Sequence, residues 1–551
     1  MTIATRILIT AVVCWTAAFA ISATPLAAPP TTAAQPAAAH AGPLFQTADN
    51  CMACHNGLIT PTGEDVSIGS AWRASMMANS SRDPYWQAAV RREAMDHPGA
   101  REEIEHECSV CHMPMANTQA RARGEKGRIF AHLPVGGSKS ADAALAADGV
   151  SCSICHQIRP DKLGTPASFT GGYVIDTSET RDPRPMFGPF KVDKGRTTIM
   201  WSATGVVPSE AAHMRQSEMC ATCHTLYTKA LGRNGEVVGQ LPEQVPYLEW
   251  RHSAFRAERS CQSCHMPVVE QPTPIASVLG EPREGFARHA FRGGNAFMLR
   301  MLNRNRTELG VQALPQELEV AVRATVQHLQ HETARVSIER AERSGGRLAL
   351  DVAVENLAGH KLPTGYPSRR VWLHVTVRES GGRLIFESGA IAPDGQIHGN
   401  DNDADATSYE PHYAEIRDAD EVQIYESVMV DHAGAVTTGL LSGLRFAKDN
   451  RILPRGFDKR TASTDIAVQG TASGDADFTG GSDRVRYAVD TSGSNGPVQV
   501  EVALRFQPIG FRWAKNLASY DAPETKRFVA YFDAMAGASS DLLARATATV
   551  K

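Results

Sequence analysis

The chain has 551 residues, a formal net charge of −4 and 42% hydrophobic residues. That length allows more than one domain, and the weakly acidic balance excludes nucleic acid as a partner class. Eleven cysteines are present; ten fall into Cys-x-x-Cys pairs, so none is left for a structural disulfide.

The first elements read as targeting signals. Arg6 precedes a nearly uncharged apolar run, and Ala18-Phe19-Ala20 offers a small-x-small cleavage site, so residues 1–23 are expected to be a secretory signal peptide. An uncleaved anchor is the alternative reading of the same run. Cys14 follows Val12-Val13 and lacks a lipobox. Residues 24–43 are mainly Ala, Pro and Thr and read as a mobile linker, with His40 inside it. No later segment is apolar for long enough to span a bilayer, so the mature chain is expected to be soluble or peripheral.

Residues 44–300 carry five copies of Cys-x-x-Cys-His: Cys51/Cys54/His55, Cys108/Cys111/His112, Cys152/Cys155/His156, Cys220/Cys223/His224 and Cys261/Cys264/His265. Residue frequencies predict on the order of 0.01 accidental matches. The spacing suits thioether attachment of a c-type haem, with the adjacent imidazole as proximal iron ligand. Zinc sites and redox dithiols also use Cys-x-x-Cys, but neither explains a His after every second Cys. The expected cofactors are five covalent haems, around which short helices and loops suffice. Asp83-Pro84 and the residues to 95 read as an N-capped helix with Pro at its first position, and residues 98–107 as a second helix leading into Cys108.

Internal repetition is weak. Cys-His-Met-Pro occurs at Cys111 and Cys264, and Trp-x-x-Ser at Trp72-Arg73-Ala74-Ser75 and Trp250-Arg251-His252-Ser253, as if one haem-binding unit were reused. These features, with His289-Ala-Phe-Arg-Gly-Gly-Asn295 and Gly359-His-Lys-Leu-Pro-Thr-Gly365, resemble multihaem cytochromes c related to the tetrahaem cytochrome of hydroxylamine-oxidising bacteria. In that family the His of Trp-x-x-Ser-x-His looks like a distal haem ligand. Here Met77 takes its place, and a thioether there would raise the haem potential. The second copy puts Phe255 at the equivalent position, where no ligand is available.

The resemblance also marks His289 and His213 as distal candidates, and His360 as one reaching back from the second half of the chain. His97, His106, His132 and His252 are undistinguished. The glycines after His289 are expected to let backbone approach a porphyrin face.

Residues 301–333 read as a connecting helix, and from 334 to 551 the pattern changes to short alternating strands: 334–339, 347–354, 371–378, 384–387, 423–430, 485–489 and 498–506. The fold class expected is α+β, a helical and loop-rich multihaem region followed by an antiparallel β-sandwich, with residues 522–536 as a closing helix. Asp401-x-Asp403-x-Asp405 opens like a calcium loop, but Ala406 and His412 stand where its Gly and Glu belong, so a solvated turn is favoured over calcium. His412 is a reserve haem ligand.

The leading expectation is a periplasmic or secreted cytochrome that relays electrons between redox partner proteins, such as other cytochromes or a membrane quinol-linked donor, with the β region docking partners. The alternative is an oxidoreductase acting on a small nitrogen or sulfur compound at a five-coordinate haem. Membrane association is expected only through an uncleaved N-terminus.

Overall fold

Alternation of apolar and polar residues in the second half of the chain becomes alternation of burial. In the computed structural model, which describes residues 43–178, 183–232 and 235–551, the strand Arg347–Asn356 buries Leu348, Leu350, Val352 and Val354 and turns the residues between them outward, as a two-residue side-chain period requires. One sheet is ordered Glu415–Ile416, Ser482–Asp490, Arg347–Asn356, Ala334–Ser344. The other is ordered Leu384–Ser388, Arg370–Glu379, Val498–Gln507, Asp541–Val550, with Ile424–Tyr425 also paired to Arg370–Glu379. The pairings are antiparallel apart from the short parallel one of Glu415–Ile416. Val371, Leu373, Val375 and Val377 of the second sheet meet Leu348, Leu350 and Val485 of the first in one core. This is a β-sandwich, and each such side chain contributes roughly 1.5–3 kcal/mol by leaving water.

Three elements differ from expectation. Residues 423–430 break at Glu426 into Ile424–Tyr425 and Ser427–Val430, the latter forming a hairpin with Arg445–Asp449; Glu426 turns inward to meet Lys448 at 3.0 Å. The helix near the C-terminus, Pro523–Asp533, does not close the fold, because a final strand Asp541–Val550 follows and buries Leu543 and Val550 at the sheet edge. The connecting segment is two helices, Ala296–Arg304 and Pro315–Glu332, separated at Gly310, which has φ of 64° and so turns the chain where other residues would be strained.

The first half is built of short helices. Pro84–Asp96 starts as its sequence requires: the Asp83 carboxylate accepts from the Tyr85 and Trp86 amides at 2.8 and 3.2 Å, satisfying donors that a helix start leaves free. A single 3-10 turn, Pro98–Ala100, then leads into Arg101–His112, which carries the second motif. The two halves are tied by Arg91–Glu524 at 2.8 Å, Arg300–Asp541 at 2.6 Å and the Tyr85–Phe528 ring contact at 5.1 Å, and Gly42–Lys551 form one compact unit. Among the described residues no helix is long and apolar enough to cross a membrane. The expected signal segment, Cys14, His40 and the linker up to residue 42 lie outside the described residues.

Candidate haem centres

Each motif is one turn of helix. The His55, His156 and His224 amides donate to the Cys51, Cys152 and Cys220 carbonyls at 3.0 Å, and the other two motifs end the helices Arg101–His112 and Cys261–His265. Residues i, i+3 and i+4 of a helix share a face, so both thiols and the imidazole of each motif are presented together.

All ten motif cysteines and all five motif histidines line one continuous cavity of about 1900 Å³. A site for one small molecule occupies roughly 300–1,000 Å³, so this space suits more than one ligand. Its wall is largely apolar, with Trp86, Val90, Ile154, Phe187, Phe291 and Leu362 among its residues.

Backbone carbonyls fix the state of four motif imidazoles. His55 Nδ1 lies 2.5 Å from the Ile275 carbonyl, His112 Nδ1 3.1 Å from that of Ser80, His156 Nδ1 2.5 Å from that of Phe187, and His265 Nδ1 is bonded to that of Arg292. A carbonyl only accepts, so Nδ1 carries the proton and Nε2 keeps its lone pair for a metal. Burial pushes His112 down to about 4 and lowers His156 and His265 as well, favouring their neutral form. Trp86 stacks on His112 with ring centres 4.4 Å apart. His224 makes no ring hydrogen bond among the described residues; burial and the charges of His265 and Arg369 hold it at about 4.

Two further imidazoles face motif histidines. His289 lies 6.3 Å from His156, ring centre to ring centre, with planes 19° apart, and His360 lies 6.2 Å from His265 at 12°. A metal about 2 Å from each of two opposed ring nitrogens places the ring centres about 6 Å apart, which these pairs match. His289 and His360 also use Nδ1 on backbone carbonyls, those of Ala287 at 3.1 Å and Lys361 at 3.0 Å. The donor set, the free nitrogens and the apolar wall fit haem c.

The loop that follows His289 holds two motifs at once. Phe291 takes φ of 44°, strained for a residue with a side chain, and the Arg292 amide donates to the His265 carbonyl at 2.9 Å. Gly293 and Gly294 both line the cavity; a Cβ on Gly293 would meet nothing within 4 Å, whereas one on Gly294 would come within 3.1 Å of the Phe506 ring, so there the small residue also admits a sandwich strand.

Met77 lines the cavity. His213 is not brought to it: the ring is buried, its Nε2 is 2.8 Å from the Ile158 carbonyl, and it packs edge-on against Phe187. His97, His106, His132 and His252 are likewise absent from the cavity wall. His412 lies in the sandwich region, where its Nδ1 accepts from Gln423 Nε2 at 2.8 Å and Asn450 Nδ2 at 3.2 Å. Nε2 therefore carries the proton and faces Asp475 at 3.3 Å and Asp483 at 3.8 Å, leaving no lone pair for a metal between them. Of the acidic run, Asp403 binds Arg370 through both oxygens at 2.8 Å and Asp405 binds Thr407.

The cysteines also show which motifs adjoin. Cys51 meets Cys152, Cys111 meets Cys223, and Cys220 meets Cys261, thiol to thiol, while Cys155 lies close to both Cys220 and Cys223. The first motif thus touches the third, the second and fifth each touch the fourth, and the third lies near the fourth.

Sequence reasoning missed two parts of the cavity. His328, on Pro315–Glu332, lies 6.3 Å from His265 at 58°, with its Nδ1 3.5 Å from Glu332 Oε1. Asp83, Tyr85, Tyr366 and Arg369 form a polar stretch of the wall, in which burial pushes Asp83 up to about 6 and Arg369 down to about 10. An imidazole three turns into a charged amphipathic helix carries no sequence mark, and the polar stretch unites residues from both halves of the chain.

No family model matches the chain, and no curated protein matches it, so the family likeness read from the motifs rests on those motifs. Among solved structures, a penta-heme cytochrome c552 from Thermochromatium tepidum matches with a TM-score of 0.52 and 14% identity, over 92% of this chain and 100% of that one. The chain shares that fold.

Proposed function

We propose that the chain is an exported c-type cytochrome that holds five haems in one cavity and relays electrons between redox partner proteins, such as other cytochromes or a quinol-linked donor. The observation that carries this reading is the single cavity on which all five motifs converge, with thiol contacts joining the first motif to the third and the fourth to the second and fifth, and the third lying near the fourth. Bound haem supplies one-electron redox chemistry, while the protein sets spacing, axial ligation and dielectric. His55, His112, His156, His224 and His265 serve as proximal ligands, His289 as the second ligand at the third motif and His360 at the fifth. The relay is branched: the fourth motif joins three arms, one running through the third motif to the first and the others ending at the second and fifth.

Haem quantification of the purified holoprotein tests the count, with five per chain expected and fewer overturning it. Replacing both Cys220 and Cys223 with alanine should remove one haem and stop transfer between arms; full-rate transfer in that variant would contradict the fourth motif as junction.

A second reading, reduction or oxidation of a small nitrogen or sulfur compound at an open haem, is favoured by a different observation. Among the described residues, only His289, His328 and His360 line the cavity besides the five motif histidines. Arg369, whose charge reaches His224, has no carboxylate within ion-pair distance among the described residues. Carbon monoxide binding to the reduced protein decides it: stoichiometric binding at one haem supports an open site, and no binding excludes one.

A further inference from the structure

The loop that presents His360 is seated on buried charge. Lys361, the next residue, is fully buried, and its Nζ lies 2.7 Å from Asp449 Oδ2. Arg451 grips the same carboxylate with Nε at 2.8 Å and Nη2 at 2.7 Å, and its Nη1 lies 2.9 Å from Glu249 Oε1. Glu249 belongs to the helix Pro246–Arg251 of the motif half, and its other oxygen accepts from the Lys361 amide at 3.1 Å and the Thr364 hydroxyl at 2.5 Å. Two cations and two carboxylates thus form a neutral chain crossing from one half of the molecule to the other, with the backbone of His360-Lys361 clamped at its end.

Ordinary packing does not require such a group. Apolar side chains of similar volume often serve stability as well as a buried ion pair does, whereas ions impose direction and register. The surrounding contacts act on the same loop. Ser253 Oγ donates to the Gly359 carbonyl at 3.2 Å, Asn356 Nδ2 donates to the His360 carbonyl at 2.8 Å, and a Cβ on Gly359 would lie 3.3 Å from Phe255 Cβ. Phe255, which cannot be a ligand in the second Trp-x-x-Ser copy, is therefore part of the seat that receives the loop bearing His360.

We propose that Glu249, Arg451, Asp449 and Lys361 are positioning residues that set His360 opposite His265, so that docking of the sandwich on the motif half and axial ligation at the fifth motif are one event. This rests on the reading of the fifth motif as a haem site with His360 as its second ligand. The sandwich then acts as a ligand-bearing partner within the chain, beyond any docking role.

Low-temperature EPR of the oxidised full-length holoprotein tests it, comparing wild type with His360→Ala, Glu249→Gln, Asp449→Asn and the milder Thr364→Val. His360→Ala should convert one haem from low to high spin. Glu249→Gln and Asp449→Asn should lose most of the same haem's low-spin signal, Thr364→Val part of it, and added imidazole should restore the signal in all four. Arg91→Gln, which breaks an inter-half ion pair away from the loop, should leave the spectrum unchanged. If His360→Ala alone loses the signal, the positioning role is overturned and the ligand assignment stands; if His360→Ala keeps it, the ligand assignment itself is wrong. Thr364→Val keeps all four charges, so a folding failure of the charge variants still leaves a decisive measurement.

Discussion

In residues 334–551 apolar side chains fill the space between two sheets, whereas in residues 43–300 they line a space. Leu348, Leu350, Val352, Val371 and Val500 are buried against one another, a core that needs nothing from outside the chain. Trp86, Val90, Ile154 and Phe187 instead face a cavity of about 1900 Å³, and short helices such as Ala48–Met52, Cys152–Cys155 and Ser217–Ala221 surround it. Isolated helices of that length do not hold themselves. The lesson is that one chain uses two kinds of core, one closed by its own side chains and one written for a filler that the five motifs would attach.

The largest effect that breaks or sharpens this contrast is haem removal. Protein made without haem attachment should lose protection from proteolysis throughout residues 43–300 while the sheets of residues 334–551 keep more of theirs. Limited proteolysis read by mass spectrometry gives the map, and equal protection of both regions would erase the distinction. A smaller and opposite effect is expected from Leu350→Ala, which should cost about 2–5 kcal/mol in denaturant melts and leave the haem count untouched, because Leu350 contacts the side-chain core and not the cavity.

The two cores were unequally legible in the sequence. Strands such as Arg347–Asn356 and Arg370–Glu379 show themselves by alternation, a local property, and the Asp83-Pro84 start of a helix is local too. The five motifs announce their chemistry for the same reason. Which histidine faces which motif is not local: the loop bearing His360 is seated on a charge chain drawn from Glu249, Lys361, Asp449 and Arg451, and His213 Nε2 lies against the carbonyl of Ile158. The last strand, Asp541–Val550, carries the same local signal, since its Leu, Ala, Thr and Val residues alternate in burial.

Buried titratable groups divide the regions again, and pH tests that division. In the sandwich region burial pushes Asp483 up to about 7 and His412 down to about 4, with Asp475, Lys448 and Tyr425 facing the pair. Between about pH 4 and 6.5 the folded Asp483 holds a proton that the unfolded chain releases, so its contribution to stability falls as pH rises. Over the same window the folded His412 lacks a proton that the unfolded chain binds, so its contribution rises. The two oppose each other. Denaturant melts at pH 4.5, 5.5 and 6.5 should therefore show a slope of up to about one proton, downward with pH, in His412→Asn, and an upward slope in Asp483→Asn. Parallel slopes in the two variants would show that the cluster does not titrate as a balanced pair.

The smallest expected effect lies on the cavity side, at Asp83. Its carboxylate caps the helix that carries Trp86, and Trp86 stacks on His112, so Asp83→Ala should cost about 1 kcal/mol as a lost cap. The cap and the stack are linked by geometry, because the first turn of that helix sets where the indole lies. The same substitution should therefore alter the spectrum or potential of the haem at the second motif, whereas Asp83→Asn, which keeps a capping oxygen, should restore both stability and spectrum. A cap acting only on stability would lower the melting midpoint and leave that haem unchanged, which would separate the wall of the cavity from the ligand it borders.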